Sequence, residues 1–202
     1  MSRQNGIFIA FEGIDGAGNT THSRLATEWL KNMGFDVILT KEPSPDGRIG
    51  QLVRSYLRDE YAHPAIDALL FAADRVEHVY KVVLPAIRSG KIVISDRYLE
   101  SSIAYQSAQG LDVEWIKNIN KFAIRPDLTI ILDVEPEAAL RRKGLASEKF
   151  ERVEFLSKVR RNLLLRANEM GYPVIYTGLP LEKVVKAVRN VLVSYLRQRE
   201  ML

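Results

Sequence analysis

The stretch Ile7-Phe-Ile-Ala-Phe-Glu-Gly-Ile-Asp-Gly-Ala-Gly-Asn-Thr-Thr21 contains an apolar run that breaks into a glycine-rich turn. The residues that follow, to about Met33, have the pattern of a helix. A strand, a glycine-rich loop and a helix in this order bring backbone N–H groups together around phosphate oxygens, and the helix dipole favours negative charge there. The stretch therefore predicts a phosphate-binding loop, or P-loop. A merely tight strand-to-helix connection is the alternative, and three glycines within six residues disfavour it.

One position of the P-loop departs from the usual pattern G-x-x-x-x-G-K-[ST]. Asn19 stands where the pattern has lysine, and its amide is neutral and short. Loss of one charge-assisted contact to a transferring phosphoryl group costs about 2–4 kcal/mol of transition-state stabilisation. We therefore expect either slow catalysis or a cation from elsewhere, for which the candidates are Arg141, Arg142, Lys143, Lys149 and Arg152.

Composition limits the class of protein. The chain has 202 residues, of which 47% are hydrophobic and 27% charged, and these values fit one domain with a full core. The formal charge of +4 comes from dispersed basic residues, which favours an enzyme for polyanionic nucleotides over a protein whose main partner is nucleic acid. Charged residues interrupt every long apolar window, so no membrane span is expected. There is no cysteine and no room for a signal peptide before the first strand, and we expect a cytoplasmic location.

Short apolar runs alternate with amphipathic helical stretches along the whole chain, which is typical of a parallel α/β sheet. We predict strands at 7–12, 36–40, 92–95, 128–133 and 174–176. Helices are predicted at 20–33, 49–58, 63–88, 113–122, 136–142, 149–170 and 181–198, with Pro85 kinking or dividing the third. The expected fold is a single α/β domain over 1–202, a three-layer sandwich around a five-stranded parallel sheet.

Polar residues follow the predicted strands, at the end of the sheet where ligands bind in folds of this kind. Asp96 and Arg97 follow the third strand. Thr20 and Asp96 are expected to hold a magnesium ion at the terminal phosphates, while Arg97 bridges donor and acceptor phosphates. Thr21 is expected at the α-phosphate. The alternative for Asp96 and Arg97 is an ordinary surface ion pair.

Phe71 and Arg75 are four residues apart on a predicted helix and therefore share one face. An aromatic ring beside a guanidinium suits a flat base and its polar edge. A core phenylalanine beside a solvated arginine fits the same spacing, and the residues alone leave both interpretations open.

Four separated motifs together resemble the thymidylate kinase (dTMP kinase) family. They are Phe11-Glu-Gly-Ile-Asp-Gly-Ala-Gly-Asn-Thr-Thr21, Glu42-Pro43, Leu70-Phe-Ala-Ala-Asp-Arg75 and Asp96-Arg97-Tyr98-Leu-Glu-Ser-Ser-Ile-Ala-Tyr-Gln106. The resemblance runs almost end to end. It implies the P-loop fold of nucleoside monophosphate kinases, ATP- and Mg²⁺-dependent phosphorylation of dTMP to dTDP, and a homodimer.

The resemblance also implies roles for individual residues. Phe71 would stack on thymine, Arg75 would meet the edge of the base, and Tyr105 would lie against the deoxyribose and disfavour a 2′-hydroxyl. The substrate site as a whole would comprise Glu42, Arg54, Phe71, Arg75, Arg97, Ser102, Tyr105 and Gln106. The ATP site would comprise Gly13, Ile14, Asp15, Gly16, Ala17, Gly18, Asn19, Thr20, Thr21 and Arg142. Catalytic roles would fall to Asp15, Asn19, Arg97, Arg142 and Lys149.

Two departures from the family pattern concern catalysis. The first is Asn19. The second lies in a lid expected at about 141–150, where Glu148-Lys149-Phe150-Glu151 replaces the common Asp-Arg-x-Glu. Lys149 has the charge of that arginine without its planar fork. Two other functions stay open: a kinase for another pyrimidine monophosphate such as dUMP, and a nucleotide-binding protein with little turnover.

Overall fold

The computed structural model describes residues 6–57, 63–143 and 152–202. Within these ranges five parallel strands form one sheet in the order β2-β3-β1-β4-β5. The strands are β1 (Ile7–Gly13), β2 (Val37–Lys41), β3 (Ile92–Asp96), β4 (Leu128–Asp133) and β5 (Val174–Tyr176). The five-stranded parallel sheet predicted from the sequence is confirmed.

Helices connect the strands and cover the sheet. They are α1 (Asn19–Asn32), α2 (Arg48–Tyr56), α3 (Pro64–His78), α4 (Leu84–Arg88), α5 (Leu99–Ala108), α6 (Val113–Ile119), α7 (Pro136–Lys143), α8 (Val153–Met170) and α9 (Leu181–Gln198). A π-helical turn, Val79–Val83, separates α3 from α4. Pro85 lies in the first turn of α4, where its missing N–H costs least, so the long predicted helix is divided near this proline as expected.

Both faces of the central strand are buried. All seven residues of β1 are shielded from solvent, which explains why the strand reads as a continuous apolar run. Ile7, Ile9 and Phe11 pack in one cluster with residues of α1, α8 and α9. Phe8 and Ala10 pack in a second cluster with the π-helical turn. The two clusters form the upper and lower interfaces of the expected three-layer sandwich.

One helix was not predicted, and two predicted helices are too long. The helix predicted at 149–170 begins at Val153, after an extended Arg152, and 149–151 lie outside the described residues. Helix α5 lacks an apolar stripe because it is buried on several sides, with Glu100, Ser102 and Gln106 buried like Ile103. The helix predicted at 113–122 ends at Ile119, because the Asn120 side chain donates to the carbonyl of Ile116 and ends the helix. Among the helices in the described ranges, none has the length and apolar content needed to cross a bilayer.

Candidate active site

The carboxyl ends of β1, β2 and β3 open into a cleft of about 1010 Å³. Its walls include nearly all the residues singled out in the sequence. They are Asp15, Gly16, Ala17, Gly18, Asn19, Thr20, Thr21, Glu42, Arg54, Phe71, Arg75, Asp96, Arg97, Ser102, Tyr105, Gln106 and Arg142. Gly13 ends β1 behind the P-loop, and Ile14 is buried in the core. Lys149 and the remainder of the expected lid after Lys143 lie outside the described residues.

The P-loop backbone has a conformation that depends on glycine. Gly16 and Gly18 have φ angles of +81° and +96°. A Cβ atom on Gly16 would lie 2.4 Å from the carbonyl oxygen of Ala139 in α7. Helix α1 begins directly after Gly18 with no side-chain cap, so the N–H groups of its first turn are directed toward the cleft. This arrangement suits an anion.

Asn19 supports the loop rather than extending from it. Its side-chain nitrogen donates to the carbonyl oxygen of Gly13 at 3.2 Å, and the residue is only 5% exposed. Its Oδ1 is buried without a hydrogen-bond partner among the described residues. The amide therefore fixes the start of the P-loop, and the charge that a lysine would supply is missing.

Thr20 and Asp96 meet at the mouth of the P-loop. The hydroxyl of Thr20 donates to Oδ2 of Asp96 at 2.5 Å, and Oδ1 of Asp96 is buried with no hydrogen-bond partner in the described part of the chain. An unpartnered carboxylate oxygen beside a hydroxyl is a donor set that fits Mg²⁺, which takes oxygen ligands and one or two carboxylates. A third group at this place was not predicted from the sequence: Nζ of Lys41, at the end of β2, lies 3.3 Å from Oδ2 of Asp96 and 3.5 Å from Oγ1 of Thr20.

Arg97 has an unusual backbone conformation that neighbouring bonds maintain. Its φ angle is +73°, in the left-handed region that non-glycine residues seldom adopt. Its N–H donates to the carbonyl of Phe11 at 2.9 Å, and its own carbonyl accepts from the hydroxyl of Ser95 at 2.7 Å. The strained backbone therefore fixes the direction in which the side chain leaves β3.

The guanidinium of Arg97 lies between the P-loop and α5. It donates to the carbonyl of Gly13 at 2.8 Å and to the hydroxyl of Ser101 at 3.1 Å, and it forms an ion pair with Asp15. It also lies over the ring of Tyr105, 5.4 Å from the centroid. The guanidinium therefore links the end of β1, the P-loop and α5 at the floor of the cleft.

The phenol of Tyr105 is part of the P-loop environment. Its oxygen accepts the backbone N–H of Asp15 at 2.9 Å. Burial, followed by the charge of Asp15, raises the pKa of Tyr105, so the phenol stays neutral. Burial, followed by the charge of Arg142, lowers the pKa of His22, which lines the cleft in the first turn of α1.

Glu12 lies behind the P-loop and holds the start of α5. Its carboxylate accepts the backbone N–H groups of Glu100 at 3.0 Å and Ser101 at 3.1 Å, together with the hydroxyl of Ser101. Burial raises the pKa of Glu12 to about 7; the Ser101 hydrogen bond opposes this shift and the charge of Glu100 adds to it. The helix that carries Tyr105 is thus anchored to the strand that precedes the P-loop.

Arg75 is buried, not solvated, so the alternative of a solvated arginine is wrong. The residue is 1% exposed and donates to the carbonyl of Tyr98 at 3.1 Å and to the hydroxyl of Ser102 at 2.8 Å. It also contacts Asn120 and forms an ion pair with Glu42. Phe71, one turn earlier, is half-buried in the wall of the cleft.

His78 also has a place in the site that was not predicted from the sequence. One ring nitrogen lies 2.9 Å from Oε1 of Glu42, and the other lies 2.7 Å from the hydroxyl of Thr40. The imidazole therefore connects β2 to the carboxylate that holds Arg75. Its spacing in the sequence gives no signal of this, because its partners lie 36 and 38 residues away.

The remaining predicted residues lie at the two ends of the cleft. Arg54 donates to the carbonyls of Ser44 at 3.0 Å and Pro45 at 2.6 Å in the loop after β2. Gln106 is 2% exposed, and its Oε1 has no hydrogen-bond partner among the residues described. At the far end, Arg142 donates to the carbonyls of Thr177 at 2.7 Å and Gly16 at 3.3 Å. The apolar side chains of Leu179 and Leu181 line the same end.

Comparison with known proteins agrees with this geometry. The sequence profile of the family described as "Thymidylate kinase" matches residues 11–188. A protein of Pyrobaculum calidifontis named "Probable thymidylate kinase" is 50% identical over 185 residues, which cover 90% of this chain and 93% of the relative. A Pyrococcus abyssi protein of the same name is 49% identical over 79% of this chain and 82% of its own length. A third, from Staphylothermus marinus, is 42% identical over 97% of this chain and 99% of its own length.

Proposed function

This chain belongs to the thymidylate kinase family, and from that membership we propose that it transfers the γ-phosphoryl group of ATP to dTMP, giving dTDP and ADP. One observation carries the proposal: a single cleft joins the P-loop to the aromatic and polar groups around Phe71, Arg75 and Gln106. A phosphate-binding loop alone fits many nucleotide-binding proteins, whereas an aromatic ring and polar groups in the same cleft support binding of an acceptor nucleotide as well.

The transfer needs no covalent intermediate, because the phosphate of dTMP is already an anionic nucleophile. Catalysis then rests on positioning and on neutralisation of charge. The fork of Arg97 is the group we assign to both phosphates, since it lies between the P-loop and α5. We assign the dTMP phosphate to Arg54 as well. A magnesium ion held by Thr20 and Asp96 would neutralise charge on the terminal phosphates of ATP.

The base of dTMP fits beside Phe71. The half-buried ring offers a stacking face, and Ser102 and Gln106 offer polar groups at the edge of the base. The guanidinium of Arg75 already donates to Ser102 and Tyr98 and pairs with Glu42. We therefore assign it two roles: it holds Ser102 and the wall of the cleft in place, and it meets the edge of the base. At the other end, Arg142 with Leu179 and Leu181 suits the flat, apolar adenine of ATP.

The assay that tests the proposal is ADP formation with ATP, Mg²⁺ and dTMP. We expect turnover that depends on dTMP and that falls to background in Asp96→Ala. Equal ADP formation with and without dTMP would contradict the proposal. Ranking acceptors by kcat/KM tests the alternative acceptor dUMP. The two nucleotides differ by the methyl group of thymine, which is worth about 1–3 kcal/mol of discrimination.

A nucleotide-binding protein with little turnover is the second candidate, and the neutral, buried amide of Asn19 is the observation that favours it. This candidate predicts tight binding of ATP with negligible transfer. The other end of the cleft argues against it, because a protein that only bound ATP would have no use for the aromatic and polar groups around Phe71 and Gln106.

We further propose that the protein is a homodimer and that the segment at 141–150 is a lid. Leu52 in α2, Ile66 and Leu69 in α3, and Tyr80 in the π-helical turn are large apolar side chains that are 38–58% exposed, which suits a partner surface. Sedimentation at several protein concentrations tests the dimer.

A lid that closes over the cleft would exclude water from the transfer.

A further inference from the structure

We propose that Lys41 supplies the cation at the terminal phosphates of ATP that Asn19 cannot supply. The effect of Lys41 on catalysis rests on the proposed function, whereas its effect on ATP binding does not. Lys41 is outside the P-loop and outside the basic residues of the expected lid, and it reaches the site through the order of the strands.

The sheet places Lys41 beside the P-loop. Strand β2 pairs with β3 in a parallel register in which Lys41 is the partner of Asp96, the last residue of β3. The side chain extends from there to Asp96 and Thr20, with Nζ at 3.3 and 3.5 Å from their oxygens. Thr20 is the P-loop position directly after Asn19. In the usual P-loop pattern the lysine directly precedes this threonine. The ammonium of Lys41 therefore lies beside the hydroxyl of the residue that follows the missing lysine.

The other cationic side chains that line the cleft in the described ranges already donate to protein oxygens at close range. Arg142 donates to Thr177 and Gly16, and Arg54 donates to the carbonyls of the loop after β2. Arg75 is buried on Glu42. Arg97, which is held by Gly13 and Asp15, already has the separate role of bridging the two phosphates that we assign to it above. Lys41 makes only longer contacts, to Asp96 and Thr20, and its side chain is 47% exposed.

The chemistry of lysine suits this task. An ammonium on a flexible stem has three donors, so it can keep one contact with Asp96 while the others turn toward phosphate oxygens. An exposed stem with little packing around it can make that movement at low cost. Lys41 thus supplies the point charge that phosphate binding uses, from a neighbouring strand instead of from the loop itself.

The chain contains a matched control for the test. Lys91 precedes β3 and pairs with Asp36, which precedes β2, at 3.0 Å. This lysine–aspartate pair lies at the opposite end of the same two strands, away from the cleft, and its lysine is 36% exposed. Replacing either lysine by methionine removes a partly exposed ammonium from a lysine–aspartate pair between β2 and β3, although Asp96 is buried and Asp36 is exposed. Only Lys41→Met removes a charge from the cleft.

The experiment compares the unchanged protein with Lys41→Met, Lys91→Met, Asn19→Lys and the double variant Asn19→Lys/Lys41→Met. Calorimetric titration with ATP in the presence of EDTA measures binding, and dTMP-dependent ADP formation measures kcat. We expect Lys41→Met to weaken ATP binding about tenfold or more and to lower kcat about a hundredfold, the scale of one lost transition-state contact. Lys91→Met should leave both within about twofold. Asn19→Lys should restore most of the loss in the double variant.

Two results would overturn the proposal. One is a Lys41→Met protein that binds ATP and turns over like Lys91→Met, which would leave Lys41 as a simple counter-charge for Asp96. The other is an Asn19→Lys protein that is about a hundredfold faster than the unchanged chain, because this gain requires that nothing replaces the loop lysine. If the unchanged protein binds ATP but shows no dTMP-dependent turnover, the proposed function fails, and the titrations with ATP still decide the role of Lys41.

Discussion

Glu42 and Arg75 form an ion pair from which water is almost completely excluded. Oε2 of Glu42 lies 2.8 Å from a guanidinium nitrogen of Arg75, and the two side chains are 2% and 1% exposed. Two charges that have both lost their hydration depend on each other, because removal of one leaves the other buried without compensation. The pair is therefore structural as well as part of the acceptor wall.

We expect Glu42→Gln to lower the free energy of unfolding by about 3–5 kcal/mol, because the Arg75 guanidinium would stay buried without its counter-charge. Urea unfolding followed by circular dichroism measures the loss. Glu28→Gln is the control, since Glu28 and its partner Arg24 are more than half exposed and such pairs contribute about 1 kcal/mol or less. Equal losses in the two variants would show that Arg75 does not depend on Glu42.

Gly16→Ala should lower stability and ATP affinity by more than the strain of a positive φ angle alone explains. The new Cβ would lie 2.4 Å from the carbonyl oxygen of Ala139, so the loop and α7 would have to separate. Gly34→Ala is the matched control. Gly34 has a φ angle of +91°, and apart from its chain neighbours no heavy atom of the described residues lies within 4 Å of the position that its Cβ would take.

For Gly34→Ala we expect only the strain of the left-handed conformation, about 1 kcal/mol, and unchanged ATP affinity. For Gly16→Ala we expect a larger loss of stability and about tenfold weaker ATP binding or worse, since a group of converging N–H donors works only while its geometry is kept. Thermal unfolding and an ATP titration measure the two effects. If both variants bound ATP equally well, the close contact between Gly16 and α7 would not be what maintains the P-loop conformation.

Arg97→Lys should lower kcat/KM for dTMP about a hundredfold with little change in melting temperature. Lysine accepts the same left-handed backbone as readily as arginine, so the fold is not the target. A single ammonium cannot hold Gly13, Ser101 and Asp15 and still reach two phosphates as a planar fork does. Arg24→Lys on the exposed face of α1 is the control and should leave the kinetics unchanged. Full activity in Arg97→Lys would remove Arg97 from the transfer step.

The pH dependence of stability should contain a contribution from Glu12. Its folded-state pKa of about 7 lies above the value of 4.5 for an exposed glutamate, so between these pH values the folded protein holds a proton that the unfolded chain has lost. The stabilisation that this proton gives is complete below about pH 4.5 and is lost as the pH rises through about 7, by about 3 kcal/mol in total.

Glu12→Gln lacks this titration, so its free energy of unfolding should rise relative to that of the unchanged protein as the pH increases from 4.5 to 7. Urea unfolding of both proteins at four pH values measures the difference. The hydrogen bonds that the carboxylate accepts and the amide cannot accept add a constant offset to the difference in free energy of unfolding, and this offset does not depend on pH. A difference that stays flat across this range would place the pKa of Glu12 near its ordinary value.

The sequence was sufficient to predict the sheet and the gathering of the P-loop and Asp96 in one cleft, for physical reasons. A strand covered on both faces must be apolar throughout, as β1 is, and parallel strands bring their carboxyl ends to one edge. Asp96 and the P-loop were therefore expected to be neighbours from the sequence alone. The helix α5 was missed for the opposite reason: burial on several sides removes the one-sided pattern by which helices are detected.

What the sequence could not supply is the lateral order of the strands. Lys41 ends a strand in which only Val37 is buried, and nothing in Leu39-Thr-Lys41 indicates which strand lies beside it. Only the pairing of β2 with β3 brings this lysine to Asp96. His78 and Asn120 are alike in this respect, since each acquires its role from a partner more than thirty residues away.

The π-helical turn at Val79–Val83 determines the direction in which α3 faces the cleft. A π-helical turn contains one residue more than an α-helical turn, and one residue corresponds to about 100° of rotation about the helix axis. Deleting a single residue there would restore regular α-helical winding and turn α3 by that angle relative to α4. Phe71 and Arg75 would then rotate away from the cleft although neither had been altered. Five residues that do not line the cleft thus set the rotation of α3, and the proposed recognition of the base depends on that rotation as well as on the side chains.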